Sequence, residues 1–229
     1  MSYRSNIENV RNRIEAAAYA CGRDPRQVRL VAVSKRWPAD IVRQGIAAGI
    51  TDLGENYIQE AKEKIAALDD CNVCWHFIGH LQSNKAKFAI PLFEYIHSVD
   101  SVKLAREINR HAARAGKVQK ILVQVNTGRE ATKSGVLPEE LQGLIEEIAC
   151  FENLSVRGLM TIPPVCNTPD DARPYFRELA RLRDSIIECS IPNVCMDELS
   201  MGMSSDFEVA IEEGATMVRI GTAIFGERP

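Results

Sequence analysis

No stretch of the 229 residues approaches the roughly 18 to 20 consecutive apolar residues that a membrane span requires, so a soluble chain is expected. Excess positive charge is also missing. The formal net charge is -3, which gives no electrostatic footprint for nucleic acid, although local basic groups can still hold a small anion. The opening MSYRSNIENVRNRIEAAAYA mixes charges of both signs with Ala and Ile at helical spacing. It has neither the apolar centre of a signal peptide nor the acid-poor composition of a transit peptide. The seven cysteines form no evident framework, because their number is odd and they are scattered. A reducing compartment, and with it a cytoplasmic location, is the expectation. Cys71 and Cys74 make one C-x-x-C, but no second pair or His-x-x-x-His set accompanies them, so they read as free thiols ahead of a strand. No low-complexity linker or sequence repeat divides the chain, and no long apolar surface stripe argues for association. A single domain over 1-229, working as a monomer, is expected.

What is present is an alternation. A hydrophobic content of 45% is enough to bury a full core. From residue 5 to 21, Ile7, Val10, Ile14, Ala17 and Ala18 repeat at three and four residues before Gly22, giving an extra N-terminal helix. Eight strand-like runs follow, each leading into a helical pattern. They centre on VRLVAVSK, ITDLGENY, CWHFIGH, EYIHSVD, KILVQVN, LSVRGLMTIPP, CMDELSMGMS and MVRIGTAIFG. Eight strands with 25 to 30 residues per unit suggest an α/β fold, a parallel (β/α)8 TIM-type barrel. A doubly wound sheet usually has fewer strands and a glycine fingerprint after the first, and no G-x-G-x-x-G follows Lys35. The sequence leaves little room for a helix after the eighth strand, so the N-terminal helix is expected to cover that part of the sheet.

In such a barrel the chemistry sits at the C-terminal ends of the strands. Those exits carry Lys35, Asn56, His80, Asp100, Asn126, Thr127, Thr161, Ser200, Ser204, Gly221 and Thr222. A lysine leaving a buried strand is a helix-dipole or phosphate neighbour, an exposed strand end, or an amine desolvated enough to form a Schiff base. After the seventh strand, Gly202 and adjacent serines precede a helix, and Ser205 with Glu208 fits a capping box. Backbone amides there, with those of Gly221 and Thr222, suit an anion such as a phosphate. Arg219 lies within the apolar run Met217, Val218, Ile220 and needs an acceptor, either a neighbouring carboxylate or a ligand atom. A closed barrel sets strand eight beside strand one. The phosphate site, the guanidinium and the amine then suit a planar ligand with a phosphate at one end and an aldehyde near Lys35, a description met by pyridoxal 5′-phosphate (PLP). His76 and His80 read as structural or rim residues, and Glu212 with Glu213 as a solvated face.

Seven segments carry a resemblance through nearly the whole chain: VAVSK (31-35), GENYIQE (54-60), WHFIGHLQSNK (75-85), KSG (133-135), RGLMTIPP (157-164), LSMGMSSDFEVAI (199-211) and VRIGTAIFG (218-226). In these the sequence resembles the PLP homeostasis protein family, PLP-binding proteins related to the N-terminal barrel of alanine racemase (fold-type III). The resemblance implies that Lys35 carries PLP as a Schiff base and that Ser204, Gly221 and Thr222 hold its phosphate. It implies also that Arg219 lies near the pyridine nitrogen or the phosphate, and Asn56 near the cofactor. Ser200 and Met201 belong to a matching motif. Arg36 and Trp37 depart from the smaller or polar residues usual there and would alter the pocket rim. Related racemases use a second domain and a tyrosine base from a partner subunit, and this sequence ends at Pro229. The expectation is a non-catalytic holder of PLP, active in vitamin B6 and amino-acid/keto-acid balance, with PLP-dependent apoenzymes as recipients. A PLP-dependent racemase is the alternative, and a Schiff-base aldolase of the same fold a third reading.

Overall fold

A computed structural model describes residues 2–227. Eight strands among them, β1 (Arg29–Val33), β2 (Asp52–Glu55), β3 (Cys74–Phe77), β4 (Tyr95–Val99), β5 (Gln119–Gln124), β6 (Leu154–Met160), β7 (Val194–Ser200) and β8 (Met217–Ile220), pair in parallel and in sequence order. β8 pairs back onto β1, which closes the sheet into the expected (β/α)8 barrel. Both faces of such a sheet are covered, which accounts for strands such as β2, β4 and β8 being buried along their whole length.

The outer layer comprises α1 (Tyr3–Ala20), α2 (Ala39–Ala47), α3 (Ile58–Ala67), α4 (Ala86–Ala89), α5 (Val102–Arg114), α6 (Leu141–Ala149), α7 (Arg173–Glu188), α8 (Phe207–Glu212) and α9 (Thr222–Phe225). Their apolar stripes face the sheet. In α5, Leu104, Ala105, Ile108 and Ala112 are buried, and Ser101 caps the start by accepting from the Leu104 N–H at 3.4 Å. Inside the barrel a smaller apolar set, Val31, Tyr95, Leu122, Met160 and Met217, fills the centre. No helix among the described residues is long and apolar enough to cross a membrane.

Three local expectations change. The eighth strand stops at Ile220 rather than running to Gly226, and residues 222–225 turn into α9, burying Ile224 and Phe225. The Ser205–Glu208 capping box does not form, because α8 begins after Asp206 and Glu208 instead pairs with Arg13 of α1 at 2.6 Å. Glu212 and Glu213 are not a free solvated face, since Arg173 bonds both and Arg177 bonds Glu213. The N-terminal helix lies where expected, between the last units and the first. Asn6 donates to the Ile224 carbonyl at 2.9 Å and Arg23 to the Ile211 carbonyl at 2.7 Å, while Tyr3 packs against Phe225.

Candidate functional site

β1 ends in a tight turn. Ser34 is fully buried, Lys35 half-buried and Arg36 exposed. The Trp37 N–H closes the turn onto the Ser34 carbonyl at 3.1 Å, and Arg36 takes φ +65°, a conformation that costs a non-glycine residue free energy unless its surroundings enforce it. The enforcement comes from below. Lys64 of α3, only 4% exposed, uses its three donors on the Ser34 carbonyl (2.7 Å), Glu55 Oε1 (2.5 Å) and Glu60 Oε1 (2.9 Å). Ser34 Oγ donates to the same Glu55 oxygen at 2.6 Å, and Glu60 accepts the Arg36 N–H. Burial pushes the Glu55 carboxyl above its ordinary range despite the opposing charge of Lys64. The residues on both sides of Lys35 are thus gripped by a buried ion cluster that sequence reading missed. Its signal was available, since Lys64 stands three residues after Ala61 on the apolar face of α3.

The β1–β8 register sets Val31 against Arg219 and Ala32 against Ile220, so the chain beyond β8 flanks the chain beyond β1. A Cβ on Gly221 would lie 3.4 Å from Val33, and exposed Thr222 follows. The loop after β7 joins them, because Ser204 Oγ accepts from the Ala223 N–H at 3.4 Å. That loop needs Gly202: its φ is +90°, and an added Cβ would sit 2.6 Å from the Ala210 side chain. Asp206 holds the loop by accepting from the Met203 N–H at 2.6 Å. Across β2, Asn56 is pinned by Gly79, where a Cβ would fall 2.3 Å from the Asn56 carbonyl oxygen. The side-chain oxygen of Asn56 is buried and has no hydrogen-bond partner among the described residues.

Arg219 is 4% exposed and does not use the carboxylate considered from sequence. Its Nη1 donates to Ser200 Oγ at 2.6 Å and its Nη2 to the Thr161 carbonyl at 2.8 Å. Burial lowers its pKa to about 10, with the charge of Asp206 opposing, which leaves it a cation at neutral pH. Ser200 itself is fully buried. Lys35, Asn56, Ser204, Arg219, Gly221 and Thr222 therefore gather at the C-terminal ends of four strands adjacent in the barrel, β7, β8, β1 and β2. Ser200 stands behind Arg219.

Of the remaining candidates, Thr161 joins this cluster through its carbonyl on Arg219 and bonds Thr127 through its hydroxyl at 2.9 Å, while Asn126 donates to the Glu130 carbonyl at 2.9 Å. His80 is exposed and pairs with Ser134 at 3.1 Å. At the opposite end of the barrel, ligand-type atoms of Asp52, Cys74 and His76 lie within 4.8 Å of one another. Arg29 stands 3.8 Å from the Asp52 oxygen that His76 also uses, and burial pushes the Cys74 thiol up to about 11. A guanidinium beside the carboxylate and a firmly protonated thiol make this a poor cation site.

The sequence profile described as "Alanine racemase, N-terminal domain" matches residues 4–229. The pyridoxal phosphate homeostasis protein of Aquifex aeolicus is 47% identical over 97% of this chain and 96% of its own length. That of Pseudomonas aeruginosa is also 47% identical, covering 97% and 94%, and that of Escherichia coli is 39% identical, covering 97% and 95%. Among solved structures, PipY of Synechococcus elongatus with PLP bound superposes with a TM-score of 0.86 at 35% identity, covering 98% of this chain and all of that one. An alanine racemase of Clostridium difficile, 16% identical, shares the fold over 57% of its length with a TM-score of 0.74.

Proposed function

Because the chain belongs to the alanine racemase N-terminal domain family and, within it, to the pyridoxal phosphate homeostasis proteins, we propose that it binds PLP at this mouth and serves PLP homeostasis. It holds the cofactor and releases it to PLP-dependent apoenzymes, without turning over amino acids. We take the whole chain as one cofactor-binding unit. The observation that carries the reading is the β1–β8 register, which brings the gripped Lys35 turn beside Gly221 and Thr222, with Arg219 two residues upstream. The residues present suit the group. An amine, an unpartnered buried acceptor on Asn56, a hydroxyl and backbone amides from two loops, and a fixed guanidinium match an aldehyde, a ring hydroxyl, a phosphate and a ring nitrogen.

When bound, PLP supplies an aldehyde that condenses with amines and a ring that withdraws electrons strongly only with its nitrogen protonated. Lys35 is the amine that anchors it. Ser204, Gly221 and Thr222 would hold the phosphate, Asn56 would face the ring, and Ser200 would act through Arg219. A guanidinium has donors only, so Arg219, were the ring nitrogen to face it, would keep that atom an acceptor. Carbanion chemistry would thereby be disfavoured while binding is preserved, which favours the carrier reading over the racemase one.

Adding PLP to the purified protein should produce a visible band that borohydride fixes on Lys35, and Lys35→Ala should abolish it. The loaded protein should exchange amines without sustained Cα deuteration or keto-acid release. Steady turnover with any single L-amino acid would replace the carrier reading with the racemase-type one.

A further inference from the structure

Outside the mouth, the interior of the barrel holds a continuous line of polar side chains, one from each of five strands. Asp52 Oδ1 lies 3.0 Å from His76 Nε2, and His76 Nδ1 lies 2.9 Å from His97 Nε2. His97 Nδ1 lies 3.0 Å from Ser200 Oγ, which lies 2.6 Å from Arg219 Nη1. His76, His97 and Ser200 have no exposure at all. Barrel interiors are ordinarily filled with branched apolar residues, and burying two imidazoles, a hydroxyl and a guanidinium is costly unless every group is satisfied.

With both imidazoles kept neutral by burial and Asp52 ionised, the hydrogens in this line have one self-consistent arrangement. Arg219 can only donate, so Ser200 Oγ accepts from it and turns its own hydrogen to His97 Nδ1. His97 must then carry its proton on Nε2 and donate to His76 Nδ1. His76 likewise carries its proton on Nε2 and donates to the Asp52 carboxylate, which is acceptor-only. Four donors therefore point the same way, from a fixed cation near the mouth to a fixed anion at the floor, through two neutral rings. The ends are pinned independently. Arg219 Nη2 is tied to the Thr161 carbonyl at 2.8 Å, and Asp52 Oδ2 accepts from Thr51 Oγ1 at 2.8 Å.

We infer that Asp52, His76, His97 and Ser200 form a one-way hydrogen-bond chain that positions Arg219 and holds it as a donor to the cofactor's ring nitrogen. This rests on the PLP reading of the mouth. Asp52, His76 and His97 are positioning residues, acting through Ser200 on a site reached from the other end of the barrel. The chain fixes the plane of the guanidinium by occupying one of its edges and leaves its remaining donors for the ligand.

The test has two arms. In the first, long-range proton–nitrogen correlation NMR of the unmutated, histidine-labelled apoprotein at pH 7 reads the two tautomers. Both His76 and His97 should be neutral with the proton on Nε2. A proton on Nδ1 of either ring, or an imidazolium, overturns the chain whatever PLP does. In the second, PLP labelled at the ring nitrogen is loaded into wild type, His97→Phe and His97→Gln. Phe breaks the chain, whereas the Gln amide can accept from Ser200 and donate to His76. His97→Phe should shift the ring-nitrogen resonance and weaken PLP retention about tenfold, the scale of one buried hydrogen bond lost, and His97→Gln should restore most of both. If His97→Phe does not fold, Ser200→Ala cuts the same chain and should shift the resonance likewise. An unchanged ring-nitrogen signal in the broken chain refutes the positioning role while leaving PLP binding intact. Failure of the wild type to take up PLP instead overturns the reading of the mouth, and the positioning role with it.

Discussion

Acidification should destabilise this protein well above the range in which ordinary carboxylates titrate. His76 and His97 are fully buried, and burial lowers both pKa values, that of His97 far below the usual range. Asp52 opposes the shift at His76, and Arg29, Glu198 and Arg219 are the other charges facing the pair. Tyr95 stacks on the His76 ring at 4.9 Å. The sign follows from proton counts. Below a pH of about 6.5 the unfolded chain protonates both rings, whereas the folded one takes up the same protons only at lower pH, so stability is fully present above that value and is lost as pH falls toward the folded pKa values. Each unmatched proton is worth about 1.4 kcal/mol per pH unit, so two rings that stayed neutral throughout would set an upper limit of about 2.5 kcal/mol between pH 7 and 5.5, His97 supplying about half of it. That is a large part of a typical stability of about 5–15 kcal/mol. The buried Glu55 and Asp206 carboxyls, both raised by burial, bind protons in the folded state and act in the opposite sense. The comparison is therefore between wild type and a His76→Asn/His97→Gln double variant, by urea unfolding from pH 5.5 to 7.5. The wild-type curve should fall more steeply, by at least the His97 share and at most the limit above. Parallel curves, or imidazole signals that titrate near 6.5 in the folded protein, would refute the reasoning.

Lys64→Met should destabilise by about 3–5 kcal/mol in urea melts, because it strands the buried Glu55 carboxylate, and Lys64→Met/Glu55→Gln should recover a substantial part. The same single variant should weaken PLP retention, read by dialysis, because the Ser34 carbonyl beside Lys35 loses its anchor. Gly158→Ala should cost about 3 kcal/mol or more, read as a lowered Tm, since a Cβ there would fall 1.8 Å from the Glu198 carbonyl oxygen on the neighbouring strand. Ser204→Ala should lower PLP affinity several-fold in a spectroscopic titration with little change in Tm, as the hydroxyl's one described bond is a long one at 3.4 Å.

Strand order and the mouth were legible because they rest on local signals. Apolar runs bounded by polar exits give the strands, and a closed sheet makes Lys35 and Gly221 neighbours whatever the details. The interior line was not legible. His76 and His97 sit in ordinary apolar strands, and only the register, with Cys74 opposite Asp52 and His76 opposite Tyr95, reveals that Asp52, His76 and His97 approach one another inside the barrel. The acceptors of Arg219 were hidden for a related reason, since one is a backbone carbonyl, which every residue has. The capping box failed because its glutamate found a stronger partner, Arg13, 195 positions earlier in the chain. Long-range pairing of that kind leaves no trace in a local window.

The bridging helix α1 has a further consequence, in the order of assembly. Asn6 bonds a carbonyl 218 residues downstream, and Arg13 and Arg23 reach partners 195 and 188 residues away. During synthesis α1 can meet the end of α2 early, through Arg11 and the Gly49 carbonyl at 2.6 Å, whereas α8 and α9 are made about 10 to 45 s after it at ordinary rates of synthesis. Its bonds to the last units wait for that interval, and the ring closes only when α1 meets α8 and α9. Closing it is a non-local, entropically slow event, and the last place to lock should be the seam between β8 and β1, where the cofactor mouth lies.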